Sequence, residues 1–413
     1  MSQRPRVLFV TYGGGHVSMV LPVIQAMAKQ NMVQCMVLAL TSAATATRAA
    51  GIETWQFKDF LEPDDAQALA WGSELASTLE SGGTVDPQET QAYLGLSFQD
   101  LVLKHGLDAA RKMYAQYGRH CFLPVPTIRR IIKKLKPDLV VMTNSPRAER
   151  AAGLVARELG IPALCINSTF AIDEIAWLGK SDFCDVLCVL NDSVRQRFIA
   201  AGRLPEQVVV TGNPAFDALF QAPLKAAGAE LRRQLPLGVC QVLLWASQPE
   251  YVSHPTAPGL TGEPDLPCRI LSQMLTWAQA APQRHLLIRP HPNQQMEDPL
   301  LPCATMVPPS RCEVAVALHA CDAVATSTST VALEGNALGL PVLQVRGSIF
   351  DHSMPLASMG LARECSVDGV PRAIEAMFAD HSSPAGAQPQ QYQSCAADRV
   401  AEQVAKLLKP AAN

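Results

Sequence analysis

The 413-residue chain is short of charge. Asp, Glu, Lys and Arg make up 17% of it and nearly cancel, leaving a net charge of -3. Without a basic excess there is no electrostatic footprint for nucleic acid, and no such partner is expected. No apolar run reaches the ~18 residues that a membrane span needs, and the polar Met1–Arg6 has no signal-like apolar stretch behind it. A cytoplasmic protein is the expectation. None of the twelve cysteines forms a CxxC pair, and Cys35, Cys165, Cys188, Cys240 and Cys321 sit in or beside apolar strand-like runs. Buried free thiols are therefore expected rather than disulfides or a metal site. The glycines after the first strand do not spell GxGxxG, which argues against a nicotinamide-type site.

What is present is an apolar fraction of 48%, enough for a compact globular protein. The length exceeds one ordinary core and suits two domains of ~200 residues. The stretch Ala325–Val345, ATSTSTVALEGNALGLPVLQV, organises the reading. It reads as a strand end, a turn holding Thr326, Ser327, Thr328, Ser329 and Thr330, a short helix, and a strand after Pro341. Ser329 or Thr330 suits the N-cap and Gly339 the helix end. Hydroxyls and free N–H groups at a helix start suit a phosphate, and Glu334, one turn in, suits a ribose. An ordinary capped αβ turn reads the same way. A second stretch, LLIRPHPN at 286–293, is a buried strand broken by Pro290 and Pro292. It sets Arg289 and His291 at the strand's C-terminal end, where open α/β sheets bind ligands. An arginine fork and an imidazole there fit a diphosphate or phosphodiester.

The HP pair followed by a Ser/Thr-rich turn resembles the donor site of bacterial GT-B glycosyltransferases with CMP- or CDP-activated donors. TYGGGHVSMVLPVIQAM, residues 11–27, resembles the first loop and helix of UDP-sugar GT-B enzymes. These include the peptidoglycan N-acetylglucosaminyl transferase and the macrolide and plant transferases. TGNPAFDAL, residues 211–219, resembles the interdomain segment of the UDP-N-acetylglucosamine 2-epimerases, which share the fold. The resemblance implies two Rossmann-like parallel-sheet α/β domains facing each other across a cleft. Residues 1–214 would form the acceptor-binding domain and 215–395 the nucleotide-sugar domain, with a helix at 396–413 crossing back.

The implied reaction moves a sugar from a UDP-, CMP- or CDP-linked donor to a hydroxyl on a glycan, a lipid-linked or a small-molecule acceptor. Bacterial surface glycan, glycolipid or natural-product synthesis is the setting. His16 is then the general base on the acceptor, and Gly14 and Gly15 let the backbone approach it. His291, Ser327, Thr328, Ser329, Thr330 and Arg289 hold the donor phosphates, Ser247 supports them, and Asp351 meets the sugar. No DxD motif stands at a strand end, so neither a metal nor a cofactor is expected. The alternative is a sugar-nucleotide 2-epimerase, or a non-catalytic binding protein of the same fold. Those epimerases carry an HxR-type stretch after the first strand of the second domain, where this chain reads WASQPEY.

Other segments read less sharply. Residues 53–98 are broken by prolines and glycines, with 81–91 loop-like, and 98–117 reads as one helix. PTIRRIIKKLKPDLVVM puts Arg129, Arg130, Lys133, Lys134 and Lys136 around a helix. That is either a solvated face or a basic patch for peripheral contact with the inner membrane. Arg147 and Arg150 read equally as cleft cations or surface charge. Asp173, beside Glu174, is a candidate base, although paired acids in a loop are usually solvated. Asp192 suits a helix cap, 251–263 a mobile loop, and 382–391 a linker.

Overall fold

The computed structural model describes residues 4–31, 33–79, 85–235, 237–254, 259–380 and 396–409. The chain divides into two compact units, Met1–Ala215 with Cys395–Asn413, and Phe216–Ser394. The 382–391 segment lies outside the described residues.

The first unit is built on β1 (Arg6–Thr11), β2 (Gln34–Ala39), β3 (Glu53–Trp55), β4 (Leu139–Met142), β5 (Ala163–Ile166), β6 (Val186–Val189) and β7 (Val208–Val210). They form one parallel sheet in the order β3-β2-β1-β4-β5-β6-β7. Runs such as Val7–Val10 and Leu139–Met142 are fully buried. Helices cover both faces of such a sheet, so its strands are continuously apolar rather than alternating. The terminal helix Ala396–Leu408 lays Val400, Ala401 and Val404 into this core beside the helix Gly15–Gln30. Arg399 fastens it by donating from Nε and Nη2 to the Thr211 carbonyl at 2.9 and 2.7 Å.

The second unit carries β8 (Gln241–Ala246), β9 (Arg284–Arg289), β10 (Ala304–Met306), β11 (Ala323–Thr326), β12 (Val342–Val345) and β13 (Arg363–Cys365). Their order is β10-β9-β8-β11-β12-β13, again parallel. Each sheet is wound outwards from its middle, so the strand order reverses between β1 and β4 and between β8 and β11. Ligands of open α/β sheets bind at the carboxyl ends of such strand pairs.

Several segments differ from the sequence reading. Residues 53–98 contain β3 and the helices Ala66–Ala76 and Pro87–His105. The helix expected at 98–117 breaks at Gly106, whose φ of 81° is open to glycine and strained for other residues. Asn191, not Asp192, caps the helix Asp192–Ala200, its side chain accepting from Val194 N–H at 3.0 Å. Within 251–263, Ser253 and Thr261 form an antiparallel bridge, and 255–258 lie outside the described residues.

On the basic helix Val125–Leu135, Ile128, Ile131, Ile132 and Leu135 are buried. Its cations turn to carboxylates of the same unit. Arg129 makes two 2.7 Å bonds to Glu158, Arg130 reaches Asp65 at 3.0 Å, and Lys134 reaches Glu62 at 2.8 Å. Three of the five charges that suggested a membrane face are thus already paired. No helix among the described residues is long and apolar enough to cross a membrane. The eleven described cysteines are free thiols.

The helices Ala66–Ala76 and Pro87–His105 touch through glycines. A Cβ on Gly95 would fall 2.1 Å from the Ala68 carbonyl oxygen, and one on Gly72 2.1 Å from that of Gln91. Backbone cannot yield as a flexible side chain can, so the helices would have to separate. Gly95→Ala is expected to destabilise the protein by about 1–3 kcal/mol, measured as a lower urea midpoint at unchanged slope.

Candidate functional site

The first unit builds a buried chain of polar groups where β1 and β4 diverge. Glu149, in the first turn of the helix Ala148–Glu158, is fully buried. Its Oε1 accepts the Tyr12 N–H at 2.9 Å. Its Oε2 accepts the Ser145 N–H at 2.7 Å and the Thr143 hydroxyl at 2.6 Å. Thr143 Oγ1 lies 2.5 Å from His16 Nδ1. The threonine has one proton and gives it to the carboxylate, so its oxygen accepts from Nδ1–H. This fixes the imidazole tautomer with the Nε2 lone pair free, the form a general base requires. Glu149 lies 3.5 Å from the same Nδ1 and would stabilise the imidazolium once a proton is taken.

Gly14 starts the His16 helix with φ 64°, and a Cβ on Gly14 or Gly15 would meet nothing within 4 Å, so open space lies above both. Gly13 is the sterically required glycine, because a Cβ there would fall 1.9 Å from Ser42 Oγ. Asp173 is exposed, whereas its neighbour Glu174 is half-buried. Glu174 accepts from Asn144 Nδ2 at 3.0 Å, and burial raises its carboxyl above the usual range while the Asn144 bond and His16 oppose that. The carboxylate nearest His16 is thus Glu149, and of the acidic pair it is Glu174 that is partly enclosed. The sequence reading chose Asp173.

The second unit gathers its residues at the ends of β8, β9, β11 and β12. Thr326 Oγ1 donates to the Ala246 carbonyl at 2.8 Å and accepts the Ser329 N–H at 3.0 Å, which sets the turn. Thr328 donates to Gln248 Oε1 at 2.6 Å. Ser329 Oγ accepts the Val331 N–H at 3.3 Å, so it does the capping, while Thr330 is exposed and makes no side-chain cap bond. Ser327 and Ser247 are both buried, and the Ser247 hydroxyl is enclosed with no partner among the described residues. Gln344 Nε2 holds the turn from below through the Ser327 carbonyl at 3.0 Å.

His291 Nδ1 accepts the Asn293 N–H at 3.1 Å, which puts the neutral ring's proton on Nε2, and burial lowers its pKa. It is thus a donor towards an incoming oxygen. Arg289 has a different first task from the one its sequence position suggests. Its Nη1 donates to the carbonyls of Val307 at 3.2 Å and Cys312 at 2.7 Å, clamping the loop between β10 and the helix Val314–Ala320. Its charge is also felt by Glu334, whose carboxylate has no hydrogen-bond partner among the described residues. Asp351 accepts the Gly347 N–H at 2.8 Å through Oδ2, while its Oδ1 is enclosed and unpartnered, and burial raises its pKa. Glu250, in the loop after β8, takes the Ser348 hydroxyl at 2.7 Å and the Ile349 N–H at 2.8 Å.

The structure therefore brings Ser247, Arg289, His291, Ser327, Thr328, Ser329 and Glu334 to one sheet end and adds Gln248 and Glu250. Sequence reasoning missed Glu149, whose only signal was an acid in the first turn of a helix that follows a strand. Among the described residues no three His, Cys, Asp or Glu side chains are grouped to hold a metal ion.

Residues 91–403 match the sequence family of UDP-N-acetylglucosamine 2-epimerase. No curated protein sequence matches the chain. Among solved structures, the UDP-GlcNAc 2-epimerase of Neisseria meningitidis bound to UDP-GlcNAc is similar at TM-score 0.57 and 14% identity, over 97% of this chain and 100% of that one. The UDP-GlcNAc 2-epimerase of Methanocaldococcus jannaschii is similar at 0.58 and 12%, over 97% and 99%. The calicheamicin glycosyltransferase is similar at 0.60 and 16%, over the full length of both chains. At these identities the likeness is one of fold.

Burial pushes the Glu334 carboxyl from 4.5 up to about 7, with Arg289 acting against it. A carboxyl whose folded pKa exceeds its unfolded value binds its proton more readily in the folded state, so stability falls as pH rises from 4.5 through 7. Glu334→Gln is expected to be more stable than the native chain by about 1–3 kcal/mol at pH ~8, with the gap closing towards pH ~4. Urea unfolding at both pH values measures it.

Proposed function

We infer what this protein does from one premise: the chain belongs to the UDP-N-acetylglucosamine 2-epimerase family. It is an enzyme that acts on a UDP-activated sugar and inverts the configuration at C2. The observation that carries this reading is the hydroxyl-lined end of β11 against β8, with His291 beside it, at the second sheet's reversal. His291 Nε2–H, the Ser327 and Ser329 hydroxyls and the unpartnered Ser247 hydroxyl stabilise the departing diphosphate. Glu334 accepts from the ribose hydroxyls. Arg289 holds the loop at 307–312 and adds positive charge.

The chemistry follows from the bond to be changed. A C2–H bond of a sugar has no adjacent carbonyl and resists a base as weak as imidazole. Departure of UDP from C1, with the bonding pair leaving on the phosphate oxygen, puts positive charge next to C2 and makes that hydrogen acidic. A base then takes the proton, a C1–C2 double bond forms, and return of the proton to the opposite face with re-addition of UDP gives the epimer. In this reading His16 Nε2 is the base, its tautomer set by Thr143 and Glu149. Glu174, half-buried with a raised pKa, is the second group able to carry a proton. The substrate supplies the leaving group, and no further cofactor is proposed.

A second reading is supported by the loop after β8. It reads SQPEY over residues 247–251, and Glu250 there is tied to Ser348 and Ile349. This is where the epimerases that the sequence resembles carry an HxR-type stretch. The same leaving-group cradle then serves glycosyl transfer, and His16 deprotonates an acceptor hydroxyl instead.

Incubation with UDP-N-acetylglucosamine in D2O separates the two. Epimerisation yields the manno sugar nucleotide with deuterium at C2 and no loss of total UDP-sugar. Transfer or hydrolysis releases UDP with the C2 hydrogen retained, and tight UDP binding with neither product would mark a non-catalytic binder. Whichever reaction is seen, His16→Ala is expected to lower kcat by about 10²–10⁴-fold. His291→Ala is expected to weaken UDP binding by roughly tenfold, the scale of one charge-assisted hydrogen bond. Steady-state kinetics and calorimetric titration check these values.

A further inference from the structure

We propose that Asn144, held by Ser168, is a positioning residue for Glu174: it fixes the Glu174 carboxyl beside the end of β4 and leaves one of its oxygens to carry the second proton of the reaction. Asn144 is buried. Its Nδ2 donates to Glu174 Oε1 at 3.0 Å, and its Oδ1 accepts the Ser168 hydroxyl at 3.1 Å. Asn213 Nδ2 donates to the Ser168 carbonyl at 3.3 Å, so segments that follow β4, β5 and β7 share one network. Thr143, the residue before Asn144, is the one that meets His16. Two successive residues after β4 thus each hold a group able to take up a proton.

Charge settles the direction of the Asn144 amide. Turned over, it would set Oδ1 against an ionised carboxylate, oxygen facing oxygen. In the observed direction Glu174 Oε1 is engaged, and no side chain among the described residues donates to Oε2. Oε2 is therefore the oxygen free to gain and lose a proton. The donor on Oε1 favours the ionised form and works against the burial that raises this carboxyl. Of the charges around it, Asp173 raises it further and His16 lowers it. Arg150, on the helix Ala148–Glu158, lies 5.1 Å over the ring of Trp177, in the helix that Glu174 starts.

The backbone serves the same arrangement. Glu174 stands at the N-cap of the short helix Ile175–Leu178, yet its side chain makes no bond to that helix and goes to Asn144 instead. Three residues earlier, Ala171 is buried in a left-handed conformation at φ 52°, which is strained for a residue with a Cβ. Ile175 N–H donates to the Ala171 carbonyl at 3.1 Å, and the Leu178 carbonyl accepts from Nε of the buried Arg203 at 2.9 Å. A strained turn pinned on both sides fixes where Glu174 sits. Inversion at C2 takes a hydrogen from one face and returns one to the other, which a single fixed base cannot do. The proposal deepens the epimerase reading and rests on it only for that step.

The test uses the full chain. Carbon-13 NMR of glutamate-labelled protein follows the Glu174 carboxyl, its line identified by its loss in Glu174→Gln. In Asn144→Leu the Glu174 titration is expected to move to higher pH, because the donor that favours the ionised form is gone. Ser168→Ala frees the amide and should move the titration the same way by less, while Ser168→Thr keeps it native-like. An unmoved titration in Asn144→Leu, or in Ser168→Ala should the leucine variant not fold, overturns the proposal. Epimer formation from UDP-N-acetylglucosamine is the second readout. In Asn144→Leu, kcat is expected to fall about tenfold, and the limb of its pH profile to move with the titration. A moved titration with an unmoved limb overturns the role in the reaction. A native chain without turnover refutes the epimerase reading and the reaction role with it, whereas the titration decides the positioning of Glu174 by itself.

Discussion

A parallel sheet wound outwards from its middle cannot keep its crossovers over the two central strands. The chain leaving β1 turns one way and the chain leaving β4 the other, and the same holds for β8 and β11. Loops part above those strand ends and expose backbone N–H groups, helix starts and short polar side chains. His16, Thr143, Glu149 and Arg147 stand at the first divergence. Ser247, Gln248 and the Thr326–Thr330 turn stand at the second. The apolar strands beneath, Val7–Val10 and Leu243–Trp245 among them, are fully buried and give these groups a rigid base.

The two divergences are built with different chemistry. In the first, a fully buried carboxylate organises everything around it. Glu149 satisfies two backbone N–H groups and one hydroxyl, and through Thr143 it orients the imidazole. A charge removed from water in this way persists only with several donors aimed at it. In the second, neutral hydroxyls and amides hold the turn, through Thr326 on Ala246, Thr328 on Gln248 and Gln344 on Ser327. The first arrangement suits proton transfer and the second an incoming anion. Arg289 shows how a site residue can act indirectly, because its guanidinium first holds a loop and only its charge reaches Glu334.

Much of this was legible in the residues. The strand that opens LLIRPHPN announces itself, because a continuous apolar run ended by proline has few other conformations. The terminal helix Ala396–Leu408 was expected from the family resemblance. The Ser/Thr turn was readable because hydroxyls cluster where backbone donors need partners. Other features were hidden. β13 has three mixed residues and no apolar run. The helices within 53–105 pack through Gly72 and Gly95, residues that in a sequence read as breaks. The basic face at Arg129 to Lys134 looked free until its carboxylate partners, distant in sequence, came alongside.

By itself the sequence determined the α/β class, the strand cores, the hydroxyl-rich turn and the strand-end positions of Arg289 and His291. Each depends on residues close together in the chain, where periodicity, proline and capping act. Only the tertiary structure decided that Glu149 supports His16 and that Glu174 rather than Asp173 is turned inward. It also decided that Arg147 lies over the Tyr12 ring while Arg129 and Arg130 are paired with carboxylates. Those outcomes depend on which strands become neighbours, and strand order is settled by long-range packing that no local pattern encodes.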